Sequence, residues 1–343
     1  MNLPFRKACI RLLVLVLATA SLPAASSEEP VWLIVQGAGG TDRFAAEFTE
    51  VADIWSVSAR SQGIRLLTVG QATDAGNSGK GSDMATAPDL DQLRAHVKRE
   101  TAIKTSSPLI MVLIGHGTFD GETAKFNLTG PDLSASELKA LLDGSTRPFV
   151  LINCSSSSAP FINAVSAKGR CIVTATRSGF EQSYSRFAIK LAEVISEGEA
   201  VDLDKDGQTS LLEAFLAATR SVEQFYVDEG RLATEHALLD DNGDERGSPP
   251  DRFPRVISSL SGSSSPVPEG RLASGIILVS NPRERELSPR QRALRDEIEL
   301  EISGLRSRKT EFSDEDAYYS AIEPLFLRLS ELYRSSDSGT EEP

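Results

Sequence analysis

PLIMVLIGHG (residues 108–117) and RPFVLINC (residues 147–154) indicate the fold class of this 343-residue chain. Each is an apolar run of strand length that ends in a chemically reactive side chain. Continuous apolar runs of this kind are typical of parallel strands that are buried on both faces. Because α/β proteins bind ligands at the carboxyl ends of such strands, we expect His116 and Cys154 to lie together at that edge of a sheet.

The same pattern of apolar strands and amphipathic helices extends outward from these two stretches. Further strands are predicted at residues 31–37, 65–70 and 171–176. Helices are predicted at residues 42–62, 89–100 and 184–196, and a further capped helix is predicted to start near Ser134 or Ser136 and to end before Gly144. This alternation predicts an α/β fold with a mostly parallel sheet flanked by helices.

The first residues have the three-part plan of a secretory signal. Arg6, Lys7 and Arg11 precede the apolar stretch LLVLVLATASL, and small residues follow up to residue 26. A retained membrane anchor is the alternative, but the apolar run is shorter than the roughly 20 residues that a spanning helix needs. The sequence therefore predicts a secreted or periplasmic protein with no membrane span after removal of the signal at residues 1–26.

The rest of the chain divides by composition. Residues 30–247 form the predicted α/β domain, and residues 248–285 form a linker rich in Gly, Pro and Ser with a short edge strand. Residues 286–335 carry helical periodicity and many charges, so we expect a helical pair that docks on the core or on a protein partner. Residues 336–343 form an acidic tail.

Charge and cysteine content narrow the function further. The formal net charge is −13, and it becomes −16 when the three cations of the signal are removed. This acidity argues against a nucleic-acid partner, because phosphate binding needs a basic face. Cys154 and Cys171 could form a disulfide in an exported protein, but neighbouring parallel strands would place them well over 10 Å apart, beyond the about 7 Å that a bridge allows.

The order of apolar block, His-Gly, spacer, apolar block and Cys resembles the caspase and legumain superfamily of cysteine peptidases, in particular its legumain-like branch. The matching region spans residues 31–187. The resemblance implies a caspase-like fold that hydrolyses a peptide or protein substrate, with Cys154 as nucleophile and His116 as its imidazole partner. It also implies an oxyanion hole made by the backbone N–H groups of Gly117 and Cys154.

The resemblance also implies a pocket for a substrate side chain. In legumain-like enzymes an arginine from the first loop helps to line this pocket, and Arg43 occupies a similar place. The segment after the predicted strand at residues 171–176 would form another wall of this pocket, with Arg177, Ser178 and Glu181 as candidates. The preferred substrate residue does not follow from these positions.

One departure from the family pattern concerns the neighbours of Cys154. The family places a small residue before the cysteine and a glycine shortly after it, whereas in this chain Asn153 precedes it and serines occupy 155–158. A catalytically inactive caspase-like module that binds a protein or envelope component is therefore the alternative, with Cys154 as a buried small hydrophobe. The serines also leave room for a serine to act, although the chain has no Gly-x-Ser-x-Gly elbow.

A second motif, VDLDKDGQTSLLEAF, fits the EF-hand calcium-loop formula. Gly207 stands at the sharp turn. The predicted Ca²⁺ ligands are Asp202, Asp204, Asp206, Gln208, Ser210 and Glu213. A second acidic segment has Asp240, Asn242 and Asp244 at alternating positions but Glu245 in place of the glycine, so it is either a polar turn or an addition to the cation site. Together, these motifs predict an exported cysteine endopeptidase with a structural calcium site.

Overall fold

The computed structural model describes residues 30–71, 87–197, 201–203, 207–253, 269–280 and 287–337. The predicted signal, most of the linker and most of the acidic tail lie outside these ranges. Two of the predicted calcium ligands, Asp204 and Asp206, also lie outside them.

Strands and helices alternate along most of the described chain. The strands are β1 (Val31–Gln36), β2 (Arg65–Val69), β3 (Leu109–Ile114), β4 (Gly117–Phe119), β5 (Ala124–Phe126), β6 (Leu133–Ser134), β7 (Phe149–Asn153), β8 (Arg170–Thr174), β9 (Thr209–Ser210), β10 (Leu238–Asp240) and β11 (Ile277–Val279). The helices are α1 (Asp42–Ser61), α2 (Asp89–Thr101), α3 (Ala135–Leu142), α4 (Pro160–Val165), α5 (Phe187–Glu197), α6 (Leu211–Asp228), α7 (Arg271–Ser274), α8 (Pro289–Ser307) and α9 (Glu315–Asp337).

A six-stranded sheet with the order β10-β8-β7-β3-β1-β2 forms the centre of the molecule. Its neighbouring strands are parallel except for β10, which runs antiparallel to β8. The predicted α/β class, a mostly parallel sheet flanked by helices, is confirmed.

Helices cover both faces of this sheet, which explains why its central strands are apolar throughout. Helices α1, α5 and α6 contribute to the apolar cluster on one face, where Trp32 and Trp55 pack edge to face with ring centroids 5.2 Å apart. Helices α2, α3 and α4 contribute to the cluster on the other face. A change of one residue in strand register would exchange the two sets of side chains between these two clusters.

Several short elements do not follow from the sequence pattern. Strands β4, β5 and β6 form a small antiparallel sheet directly after His116. Strand β10 ends at Asp240, the first residue of the second acidic segment, and it forms an edge of the main sheet. The short strand predicted in the linker is present as β11, but its partner is β9, inside the predicted calcium loop.

A buried ion cluster joins the end of α2 to Arg147, which lies two residues before β7. The Glu100 carboxylate is fully buried and contacts Arg65, Arg99 and Arg147. The Arg147 Nη1 atom lies 2.9 Å from Glu100 Oε2, and its Nε atom donates to the Ser107 carbonyl oxygen at 2.9 Å. The cluster therefore ties α2 to the connections that lead into β3 and β7.

Helices α8 and α9 lie in the range predicted for a helical pair. They share a separate apolar cluster that includes Ile298, Ile302 and Tyr318. On α9, Tyr319, Phe326 and Leu327 remain exposed. In the described part of the chain, no helix is both long enough and apolar enough to cross a membrane.

Candidate active site

His116 and Cys154 lie at the carboxyl ends of the neighbouring strands β3 and β7. The Cys154 backbone N–H donates to the Leu113 carbonyl oxygen at 3.0 Å, which fixes the two strand ends side by side. The alternate residues of both strands that face helices α1 and α5 are Ile110, Val112, Ile114, Val150, Ile152 and Cys154. The His116 ring contacts α1 as well, so both side chains occur on the same face of the sheet.

An aromatic wall surrounds the half-buried His116 imidazole. The ring centroid lies 4.8 Å from that of Phe44, 5.0 Å from that of Phe48 and 6.2 Å from that of Tyr184. The Tyr184 hydroxyl donates to Glu47 Oε1 at 2.6 Å, which ties this ring to α1. Sequence reasoning missed the wall, although the spacing of four residues between the two phenylalanines of α1 indicates that they share one helix face.

Cys154 does not open onto the surface. Its relative exposure is 1%, and its side chain belongs to the apolar cluster under α1, α5 and α6. Burial raises the pKa of the Cys154 thiol far above its ordinary value, and the negative charge of Glu235 raises it further. A neutral, enclosed thiol is a poor nucleophile, because the thiolate is the reactive form.

Cys171 is also a free, buried cysteine, as the argument against a disulfide predicted. It pairs in register with Val150, four residues before Cys154, so the two sulfurs occupy opposite halves of neighbouring strands.

Glu235 is the buried carboxylate whose charge acts on Cys154, and no motif in the sequence singles it out. Its carboxylate accepts hydrogen bonds from the Ser185 hydroxyl at 2.6 Å and from the Phe187 backbone N–H at 3.1 Å. The Tyr226 hydroxyl donates to the same group at 3.1 Å. These bonds satisfy N–H groups at the start of α5, so Glu235 has a structural role as the cap of that helix.

Gly117 is in direct contact with the serine run, which is formed by residues 155–158. A Cβ atom at this position would overlap the Ser156 carbonyl oxygen, so only glycine permits the approach. The Gly117 N–H donates to Ser156 Oγ at 3.3 Å, and the Ser156 hydroxyl donates to the Gly117 carbonyl oxygen at 3.1 Å. The amide assigned to an oxyanion hole by resemblance is therefore hydrogen-bonded within the protein.

Ser157 has a left-handed backbone, with φ of 55°. It stands shortly after Cys154, where the family pattern places a glycine. The side chain is 1% exposed, and its hydroxyl has no hydrogen-bond partner among the described residues. A non-glycine residue in this conformation carries backbone strain.

Because of this strain, we expect Ser157→Gly to raise the free energy of unfolding by about 1 kcal/mol. This figure is the strain energy that glycine relieves, less the extra backbone entropy that glycine loses on folding. Urea unfolding would measure the change. Ser158→Gly is the matched control and should be destabilising, because the Ser158 hydroxyl lies 3.1 Å from Thr176 Oγ1 and accepts from the Thr176 N–H. A loss of stability in Ser157→Gly would contradict the argument.

The predicted pocket residues after β8 occupy one loop. The Arg177 side chain is 60% exposed, and its Nε atom lies 3.3 Å from Glu181 Oε1. The same Glu181 oxygen lies 2.6 Å from His236 Nδ1, and the Glu181 carbonyl oxygen accepts from the Ser157 N–H at 2.9 Å. The Ser178 hydroxyl accepts from the Phe180 N–H at 3.1 Å. Glu181 therefore braces the loop, while Arg177 remains accessible.

Arg43 lies in the first turn of α1 and is exposed. Its guanidinium carbon lies 5.7 Å from the centroid of the Phe44 ring, which forms part of the wall around His116. On the loop after β8, Phe180 is 72% exposed and packs edge to face on Phe119 of β4. Arginine and phenylalanine side chains are thus accessible around this edge of the sheet.

In the described part of the predicted calcium loop, the glycine makes a turn and the carboxylates at both ends accept backbone hydrogen bonds. Gly207 has φ of 84°, and its N–H donates to Asp202 Oδ2 at 2.8 Å. Glu213 Oε1 accepts from the Leu203 N–H at 2.8 Å, so the last ligand position of the loop reaches back to the residue after the first. Ser210 and Glu213 also form a capping box at the start of α6.

These described residues fit a calcium ion, because a carboxylate lies at each end of the loop and the glycine makes the turn between them. No group of three acidic, histidine or cysteine ligands occurs among the residues that the structure describes. The two aspartates that would complete such a group in this loop are not among them.

The second acidic segment is an internally bonded turn. The Gly243 N–H donates to Asp240 Oδ1 at 3.1 Å, and Glu245 adopts φ of 65° where the loop formula has glycine. Nearby, Glu269 accepts from the Asp241 N–H at 2.8 Å. Burial, followed by the charges of Asp241 and Asp240, raises the pKa of Glu269 to about 7. Of the two interpretations of this segment, the hydrogen bonds favour the polar turn.

Fold and site together define an α/β protein that brings a histidine and a buried cysteine to one edge of a mostly parallel sheet. No family model and no curated protein matches the chain. Among solved structures it is similar to caspase-1 from Spodoptera frugiperda, with a TM-score of 0.39 and 9% sequence identity over 62% of this chain and 87% of that chain.

Proposed function

We propose that this chain is a catalytically inactive caspase-like module that binds a peptide segment of a protein at the carboxyl edge of its sheet. The observation that carries the proposal is the burial of Cys154 in the apolar core. A peptidase of this class needs a thiolate that reaches its substrate. The exposed rim around His116 still offers contacts for a peptide.

The rim favours a peptide that carries an acidic side chain. Arg43 and Arg177 are exposed on segments next to the His116 wall and the serine run, in a protein whose net charge is −13. Arginine is suited to bidentate recognition of a carboxylate. Phe180 adds exposed aromatic surface on the same loop as Arg177.

The second candidate function is the cysteine endopeptidase that the motif order implies. The observation that favours it is the placement of His116 and Cys154 on the same face of neighbouring strands. In that case the thiol would have to move out of the core to meet a substrate carbonyl. Thiol reactivity distinguishes the two functions.

In the folded protein we expect iodoacetamide to label Cys154 and Cys171 at equal, slow rates, because both thiols are buried and neutral. Both rates should be about two orders of magnitude lower than in urea. Mass spectrometry of the labelled peptides measures each rate. Faster labelling of Cys154 than of Cys171, lost in His116→Ala, would favour the peptidase.

Peptide binding provides the positive test. The probe is N-acetyl-Ala-Ala-Ala-Asp-amide, titrated by calorimetry into the full chain. We expect Cys154→Ala to bind it with an unchanged dissociation constant and Arg177→Ala to bind it about tenfold more weakly, the loss of a charge-assisted contact. The corresponding asparagine peptide is the control ligand. Cleavage of the peptide by the wild type, abolished in Cys154→Ala, would overturn the proposal.

The proposal includes export and a structural calcium ion. Export is supported by the signal-like segment at residues 1–26. N-terminal sequencing of the mature protein would test whether that segment is removed. Calcium is supported by the hydrogen bond that Glu213 accepts from Leu203, the residue after Asp202, and by the turn of Gly207 onto Asp202. Exposed Tyr319 and Phe326 on α9 support a protein partner for the C-terminal helices.

A further inference from the structure

The hydroxyl of Ser156 satisfies both backbone polar groups of Gly117. It accepts from the Gly117 N–H at 3.3 Å and donates to the Gly117 carbonyl oxygen at 3.1 Å. The Ser156 residue is buried, so water does not compete freely for these groups. Neighbouring Ser155 makes a different bond, from its hydroxyl to Asn153 Oδ1 at 2.7 Å.

This arrangement matters because an extended peptide binds through backbone hydrogen bonds. The Gly117 N–H is the first donor of edge strand β4 and directly follows His116. A peptide carbonyl that approached this donor would find it already bonded to a hydroxyl. At 3.3 Å the bond is slightly longer than the usual range of about 2.7–3.2 Å for an N–H···O bond, so exchange of one acceptor for another is feasible.

The serine run is also bonded to the loop that carries Arg177. The Ser157 N–H donates to the Glu181 carbonyl oxygen at 2.9 Å, and Ser158 is bonded to Thr176. A movement of Ser156 away from Gly117 would therefore be transmitted to the loop with the exposed arginine. The left-handed backbone of Ser157 lies at the middle of this connection.

We propose that Ser156 is an internal competitor of the peptide: its hydroxyl occupies the Gly117 amide that an incoming peptide carbonyl would use. The inference rests on the proposed peptide-binding function and deepens it. Binding then requires the Ser156 hydroxyl to leave Gly117, so the wild-type chain binds more weakly than a chain without that hydroxyl. Ser156 is not a catalytic residue in this scheme.

Amide hydrogen exchange of the full chain tests the contact itself. We expect the Gly117 amide to exchange at least about tenfold faster in Ser156→Ala than in the wild type, because the acceptor is removed. Ser155→Ala is the matched control, and its Gly117 amide should exchange within about twofold of the wild-type rate. Ser156→Gly is the second variant without a hydroxyl, and circular dichroism checks that each variant is folded. Unchanged protection of Gly117 in both hydroxyl-free variants would overturn the inference.

Affinity for N-acetyl-Ala-Ala-Ala-Asp-amide tests competition. We expect about tenfold tighter binding to Ser156→Ala than to the wild type or to Ser155→Ala, which corresponds to one freed hydrogen-bond donor. Equal or weaker binding to Ser156→Ala would overturn the inference while leaving the peptide-binding function intact. Absence of binding to all three chains would instead overturn the proposed function. Labelling of Ser156 by a fluorophosphonate in the wild type would also overturn the inference, because the hydroxyl would then be a nucleophile.

Discussion

Glu100→Gln is expected to lower the free energy of unfolding by about 3–5 kcal/mol, because it leaves a buried arginine without its countercharge. The wild-type carboxylate is fully buried between Arg65 and Arg147, and the Arg147 guanidinium is buried with it. Glutamine preserves the shape of the side chain, so the loss of stability measures the contribution of the negative charge. Urea unfolding at neutral pH measures the difference.

The matched control replaces an exposed partner of the same carboxylate. Arg99 contacts Glu100 at 3.2 Å with a side chain that is 57% exposed. Arg99→Ala should cost at most about 1 kcal/mol, as solvent-exposed ion pairs contribute little. Equal losses in Glu100→Gln and Arg99→Ala would contradict the assignment of the energy to the buried pair.

The effect should also depend on pH. Burial alone would raise the pKa of Glu100, but the hydrogen bonds and charge of Arg65, with those of Arg147 and Arg99, outweigh it and lower that pKa. A lowered pKa in the folded state adds stability above the unfolded pKa of about 4.3, and this stability is lost as the pH falls through the folded value. The difference in stability between wild type and Glu100→Gln should therefore shrink in acid.

The sheet could be predicted well from the sequence because long apolar runs determine burial. Strand β3 coincides with the run LIMVLI, and α1 ends within one residue of the predicted helix. Strands of two or three residues, such as β9 and β10, carry too little periodicity to be recognised without their partners. The antiparallel edge at β10 depends on pairing with β8, a contact between residues far apart in sequence.

The candidate site was predictable only in its placement. The order of strands implied that His116 and Cys154 would meet at one edge. The sequence left the burial of Cys154 in the core open as an alternative, and it did not indicate that Ser156 would bond to Gly117. Such contacts depend on how two chain segments approach in space. The sequence of a run of serines does not show which of their hydroxyls will form a given hydrogen bond.

Addition of Ca²⁺ is expected to stabilise the protein by about 2.7 kcal/mol at a free concentration one hundred times the dissociation constant. Asp202 and Glu213 would supply carboxylates from the two ends of the loop, with Asp204 and Asp206 between them in sequence. Thermal unfolding in calcium and in chelator measures the increment as a shift in Tm. An equal Tm in both conditions would contradict the proposed site.

Asp202→Asn separates the charge of the ligand from the shape of the loop. Asparagine retains an oxygen that can accept the Gly207 N–H, so the stability in chelator should be unchanged while the calcium increment is lost. Asp244→Asn in the second acidic segment is the control, and it should keep the full increment if that segment is only a polar turn. Because α6 begins within the loop and packs against α5, loss of calcium should destabilise the helix face that encloses Cys154. Faster labelling of Cys154 in chelator than in calcium would be the sign of that link.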